Sequence, residues 1–184
     1  MTLRRPAHLA EEGQSLVDVL RFGLEELERQ DLIPDIVLYV NYLYPFRPPA
    51  LYRTLVTQLL GTGVDTVLAA EADYSGSLWI KRDGQFSQVG MGIGTGLVAG
   101  AKREVIYRPV AGLGCATYAE YIRAGRLIGD RVELIPIKHA LHGLKVRDDY
   151  SRWVAERSFE VLESGDSDLP GSSPPTRKTA AGQT

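Results

Sequence analysis

Residues 34–49 constrain the fold more than any other stretch: a run of apolar, largely β-branched residues at 36–40, with Pro34 before it and Pro45, Pro48 and Pro49 after it. Such a run predicts a strand, and the prolines predict a rigid loop directly behind it. A strand without polar alternation is expected in a parallel sheet, buried on both faces by helices. In open α/β sheets, ligands sit just past the carboxyl ends of such strands. Asn41 and Arg47 occupy that place and are the first candidates for chemistry.

The neighbouring segments extend the pattern. Leu16, Val17, Val19, Leu20, Phe22, Leu24 and Leu27 mark an amphipathic helix with one broad apolar face. Ser15 is placed to cap it, with Asp18 at capping-box spacing. Pro48 and Pro49 open a second helix, with Leu51, Leu55, Val56, Leu59 and Leu60 as its buried face and Gly61 and Gly63 at its end. Residues 66–70 predict a second buried strand. Helix, strand, helix, strand with short connections is the α/β signature, with a mostly parallel sheet.

After Glu71 the pattern changes. Asp83-Gly84 between two short runs predicts a hairpin. Residues 90–100 are glycine-rich and 103–110 read as a strand, so 75–112 form an antiparallel excursion. A short helix is predicted at 118–124, a strand at 131–137, and a last helix from Asp148. From 164 the composition turns to Ser, Gly, Pro, Thr and Ala, which predicts a disordered tail at 164–184 behind a single domain at 1–163.

A net charge of −2, with 21 basic and 23 acidic residues, marks neither a nucleic-acid binder nor a membrane-surface binder. No apolar run approaches the roughly 20 residues of a membrane span, and the N-terminus lacks a signal-peptide core. A cytoplasmic location is expected. The single cysteine, Cys115, rules out an intramolecular disulfide and reads as a small core residue.

Each candidate site has a plainer reading beside it. Gly94-Thr-Gly96-Leu-Val-Ala99 is formally a dinucleotide fingerprint, but an extended segment follows it rather than a helix, so a loop or arm tip is the better reading. Arg47 is either a guanidinium fork for phosphate or carboxylate, or a surface arginine over Tyr44 or Phe46. Asn41 either reads a ligand edge or satisfies loop backbone. Lys102, Arg103 and Arg108 near Tyr107 form either an anion site or a solvated face. His139 and His142 are too few and too close in sequence for a zinc site. Asp148 and Asp149 fit a helix N-terminus better than an acid/base pair. No catalytic nucleophile motif is present.

The order of these pieces resembles the acylneuraminate cytidylyltransferase family, the CMP-sialic acid synthetases and their relatives. Arg5-Pro6-x-x-Leu9-Ala10 is similar to the family's Arg-Pro-x-Glu-Leu-Ala segment. Residues 36–47 resemble its strand and Pro-Thr-Ser-Pro-Leu-Arg loop, with Pro45 and Arg47 matching and Asn41 in place of glutamine. Residues 65–71 resemble its next strand, and Gly114 falls where an Asn-Gly precedes a buried strand. Residues 127–137 resemble its late strand, and Val154-Ala155-Glu156 matches the final helix. The resemblance covers roughly residues 4–160.

What the resemblance implies is a three-layer nucleotidyltransferase-like α/β fold that transfers CMP from CTP to an acidic sugar. Magnesium would neutralise the phosphates, and an antiparallel arm at 75–112 would form a homodimer. Asn41, Arg47, Arg103 and Gly114 become the expected substrate-binding residues. Two departures stand against full activity. The family's first strand and phosphate-binding glycine- and basic-rich loop have no counterpart in this sequence. Its magnesium-binding Asp-x-Asp falls near Gly143 and Lys145, so no catalytic residue or metal ligand is identified. The alternatives are a non-catalytic sugar- or nucleotide-binding or assembly module derived from the family, and an unrelated α/β domain that shares the motifs by chance.

Overall fold

The computed structural model describes residues 2–11, 13–73, 78–89 and 105–164. The glycine-rich stretch, Arg103 and residues 165–184 lie outside them.

Among the described residues, four α-helices and seven strands follow one another as α1 (Leu16–Glu28), β1 (Ile36–Tyr39), α2 (Leu51–Thr62), β2 (Thr66–Asp73), β3 (Leu78–Arg82), β4 (Gln85–Val89), β5 (Ile106–Pro109), β6 (Cys115–Tyr118), α3 (Ala119–Arg123), β7 (Val132–Pro136) and α4 (Asp149–Glu163). Local chemistry sets their ends. Ser15 caps α1 by accepting from the Val17 N–H at 3.2 Å, without completing a box with Asp18. Gly63 closes α2 with φ +69°, the left-handed conformation that glycine takes without strain. Asp83 and Gly84 both have positive φ, +50° and +82°, as the tight β3–β4 hairpin requires.

The main sheet runs β1-β6-β2, with β7 on the far side of β2 and β5 pairing the second half of β2. β1, β2 and β7 point the same way. β6 is inserted between β1 and β2 and runs antiparallel to both, and among the described residues only β2 and β7 form a parallel pair. The expected mostly parallel sheet is therefore a mixed one. β5 and β6 follow one another along β2, both antiparallel to it and joined by residues 110–114, whereas a parallel neighbour would need a crossover of a dozen or more residues.

Helices cover both faces. Leu51, Leu55 and Leu59 of α2 pack with Val67, Ala69, Leu113 and Ala116 on one face. Leu24 of α1 packs with Ala119 and Ile122 of α3 on the other, against Val37. The alternation of Ile36 and Val37 between the two clusters is the pleat of β1 sorting neighbours to opposite faces. The central strand is β2, whose residues Thr66 to Ala70 are all buried. β1 is only half-buried, because it forms an edge of the sheet among the described residues; Leu38 stays 36% exposed.

A buried polar knot pins the start of β2. Asp65 accepts from the backbone N–H groups of Asp130 and Arg131 at 3.1 and 2.8 Å and from the Arg131 guanidinium at 2.8 Å. The Thr66 hydroxyl accepts from the Gly129 N–H and meets the Thr117 hydroxyl, each at 2.9 Å. The hairpin β3–β4 forms a separate two-stranded sheet. No helix among the described residues is long and apolar enough to cross a membrane.

Candidate functional site

Because β1, β2 and β7 share a direction, their carboxyl ends open on the same edge of the sheet. A cavity of about 840 Å³ lies there, lined by Tyr44 after β1, Glu71 in β2, Arg108 in β5, and Gly143, Lys145 and Arg147 after β7. Tyr150, Ser151 and Val154 of α4 complete its wall.

Glu71 and Arg108 are register partners on β2 and β5 and form an ion pair across the ladder. The hydrogen bond and then the charge of Glu71 raise the Arg108 pKa further above its already high ordinary value. Gly143 passes so close that a Cβ there would overlap the Glu71 Oε1. A side chain at 143 would displace the Glu71 carboxylate from its place against Arg108. Burial, then the charge of Glu71, pushes the Tyr44 phenol above its usual range, so it remains a hydroxyl donor. Asp148 is engaged as the cap of α4: it accepts from the Ser151 N–H at 2.8 Å and from the Ser151 hydroxyl at 2.6 Å. Those bonds hold its carboxyl below the usual range. The expectation that Asp148 serves the helix N-terminus agrees with this geometry.

This donor set does not fit magnesium. Glu71 is paired with Arg108, Asp148 is a helix cap, and Lys145 stands in the wall. No group of three or more His, Cys, Asp or Glu side chains that could hold a metal ion occurs among the described residues. His139 and His142 face each other with ring centroids 5.7 Å apart. The His139 Nδ1 accepts from the Leu141 N–H at 3.1 Å, and burial, then His139, lowers the pKa of His142. Cys115 is fully buried and its thiol is pushed up to about 12, so it offers no thiolate nucleophile at neutral pH.

Of the expected substrate-binding residues, the three that are described lie elsewhere. Arg47 bridges two loops: its Nε donates to the Leu113 carbonyl at 2.7 Å, its Nη1 to the Tyr52 hydroxyl at 2.7 Å, and its Nη2 to the carbonyls of Asn41 and Gly112. Four of five N–H donors thus meet protein acceptors. Asn41 turns the same loop, its Oδ1 accepting from the Leu43 N–H at 3.0 Å and its own N–H reaching the Gly112 carbonyl at 2.7 Å. It also faces a separate groove of about 570 Å³ between residues 5–20 and the edge of β1. Gly114 lies under α2, where a Cβ would stand 2.6 Å from the Leu55 Cδ1. Arg103 is outside the described residues. None of the described three lines the larger cavity.

The residues that do line it carried weaker signals. Glu71 is the charge that ends the apolar run of β2, and Arg108 belonged to a basic cluster with an open reading. Gly143 and Lys145 stood out only as departures from a carboxylate pattern, and Arg147 was not singled out. Tyr44 and Tyr150 gave no sign of their place. No protein-family model and no curated protein matches the chain.

Proposed function

We propose that the chain is a cytidylyltransferase-type domain that binds an acidic sugar, of the acylneuraminate class, in the cavity at the carboxyl ends of β1, β2 and β7. The observation that carries this reading is the convergence of Arg108, Lys145 and Arg147 on that cavity beside the Tyr44 hydroxyl and the Glu71 carboxylate. Lysine and arginine supply charge-assisted hydrogen bonds to a sugar carboxylate. Tyr44 and Glu71 supply a donor and an acceptor for hydroxyl groups.

In full, the reading is CMP transfer. A sugar hydroxyl attacks the α-phosphorus of CTP and pyrophosphate leaves, and positioning and electrostatics dominate the rate. The ordered match of Arg5-Pro6, Pro45, Arg47 and Val154-Ala155-Glu156 to the family supports it. A specific observation favours the second reading, binding without transfer: Gly143 seats Glu71 and Lys145 adds a positive charge where the family places magnesium carboxylates. Under either reading the β3–β4 hairpin is the dimerisation arm, and removal of residues 75–104 is expected to convert a sedimenting dimer to a monomer.

The test is calorimetric titration with an acidic nine-carbon sugar and with CTP and magnesium, on the parent chain and on Lys145→Ala. Sugar binding that Lys145→Ala weakens, with turnover of CTP, is the expected result, and sugar binding without turnover would favour the second reading. CMP-sugar formation would establish the transferase. Absence of sugar binding would remove the proposal.

A further inference from the structure

We infer that Tyr150, backed by Trp153, is the wall on which the ring of the cavity's ligand stacks, which restricts the ligand to carboxylated sugars over acyclic polycarboxylates. The inference rests on the sugar-binding reading of the cavity. Tyr150 lines the cavity yet is 74% exposed, and Trp153 beside it is 54% exposed. Their rings are stacked, with centroids 6.2 Å apart and planes 26° from parallel.

This pair is not on the packing face of α4. Ser151 and Ala155, the buried residues of the helix, are four apart and lie on one face. Tyr150, Trp153 and Val154, at i, i+3 and i+4, lie on another, and Tyr150 and Val154 of that face line the cavity. Two large rings are therefore held against each other in water at the rim of a site. Stacking on Trp153 limits the rotation of Tyr150 and presents a flat apolar surface before any ligand arrives.

Lys145 and Arg147 line the same cavity a few residues before Tyr150 on the chain. A ligand held by its carboxylate at Lys145 and Arg147 can lay the apolar face of a saturated ring on Tyr150. Glu71 and Tyr44 provide both an acceptor and a donor, which suits a polyhydroxylated ring. An acyclic polycarboxylate would use the cations alone and leave the aromatic wall uncovered.

The experiment uses the full chain with Trp79→Phe, which leaves Trp153 as the single tryptophan. N-acetylneuraminate and citrate are titrated separately, followed by Trp153 fluorescence and by calorimetry. The expected result is a saturable change in Trp153 emission with the sugar. Tyr150→Ala should weaken the sugar about tenfold and citrate less than about twofold, while Tyr150→Phe keeps the parent affinity. Lys145→Ala should weaken both ligands. Circular dichroism matching the parent is expected for Tyr150→Ala, and Tyr150→Leu, which keeps bulk without a π face, repeats the measurement on a second variant. Unchanged sugar affinity in both variants, with Lys145→Ala still impaired, would overturn the aromatic wall and leave the cavity reading standing. Failure of the parent chain to bind either ligand would overturn the cavity reading and this inference with it.

Discussion

At the scale of single residues, Arg47 shows how one side chain's partners decide its role. Its guanidinium ties the loop after β1 to the turn before β6 and lies 5.5 Å from the centre of the Tyr52 ring. Truncation strands several half-buried carbonyls. Arg47→Ala is therefore expected to lower unfolding stability by roughly 2 kcal/mol, read as a shifted urea midpoint. Sugar affinity of the folded variant should match the parent's, because Arg47 does not line the cavity. Gly114 is a second case. An added Cβ would push on Leu55, which is fully buried against Leu51 and Leu113. Gly114→Ala should cost about 1–3 kcal/mol by overpacking, measured by the same denaturation. A variant as stable as the parent would mean that α2 moves away freely.

At the scale of elements, α4 carries one wall of the site and is anchored from both ends. The Ser151 hydroxyl accepts from the backbone N–H groups of Arg147 and Asp148 at 2.9 and 3.0 Å, completing the capping box with Asp148. Farther along, the Phe159 ring packs on Phe46 with centroids 4.5 Å apart. Ser151→Ala removes the acceptor of two backbone donors and is expected to destabilise by about 1–2 kcal/mol. Hydrogen exchange should localise the effect to the amides around residues 147–155; uniform loss of protection would show instead that α4 unfolds only with the whole domain.

At the scale of the whole molecule, acid stability is concentrated where the sheet begins. The hydrogen bond from the Arg131 side chain, reinforced by the Arg131 backbone N–H, lowers the Asp65 pKa from 3.8 to about 2. A carboxylate held lower in the folded state than in the unfolded one adds stability that is complete above the unfolded pKa, and that stability disappears as pH falls through the folded pKa. Melting temperature should therefore be nearly constant above about pH 5 and fall between about pH 4 and pH 2. Asp148 and Asp130, whose pKa values are also lowered by hydrogen bonds, add to the fall in the same direction. Asp65→Asn should melt lower at pH 7 and lose part of the acid dependence. An unchanged pH profile would exclude Asp65 as a source.

Much of the element pattern was legible locally. The apolar faces of α1 and α2, the β2 run, the Asp83-Gly84 turn and the cap at Asp148 all follow from residues within a few positions of one another. Their physics is short-ranged: periodicity, φ preference and side-chain capping. β6 was missed by its pattern, because Cys115, Ala116, Thr117 and Tyr118 have no strong strand signal and become a strand by pairing β1 and β2 on either side. That insertion made the sheet mixed, and it placed the turn at 111–114 where Arg47 could clamp it. The cavity was equally hidden. Tyr44, Glu71, Arg108, Lys145, Arg147 and Tyr150 are spread over more than a hundred positions, and only the shared direction of β1, β2 and β7 gathers them. The sequence by itself determined which segments become helices and most strands, because those choices rest on neighbours. The tertiary structure alone decided strand order, the partners of Arg47 and the membership of the site, because each depends on long-range pairing that no local preference encodes.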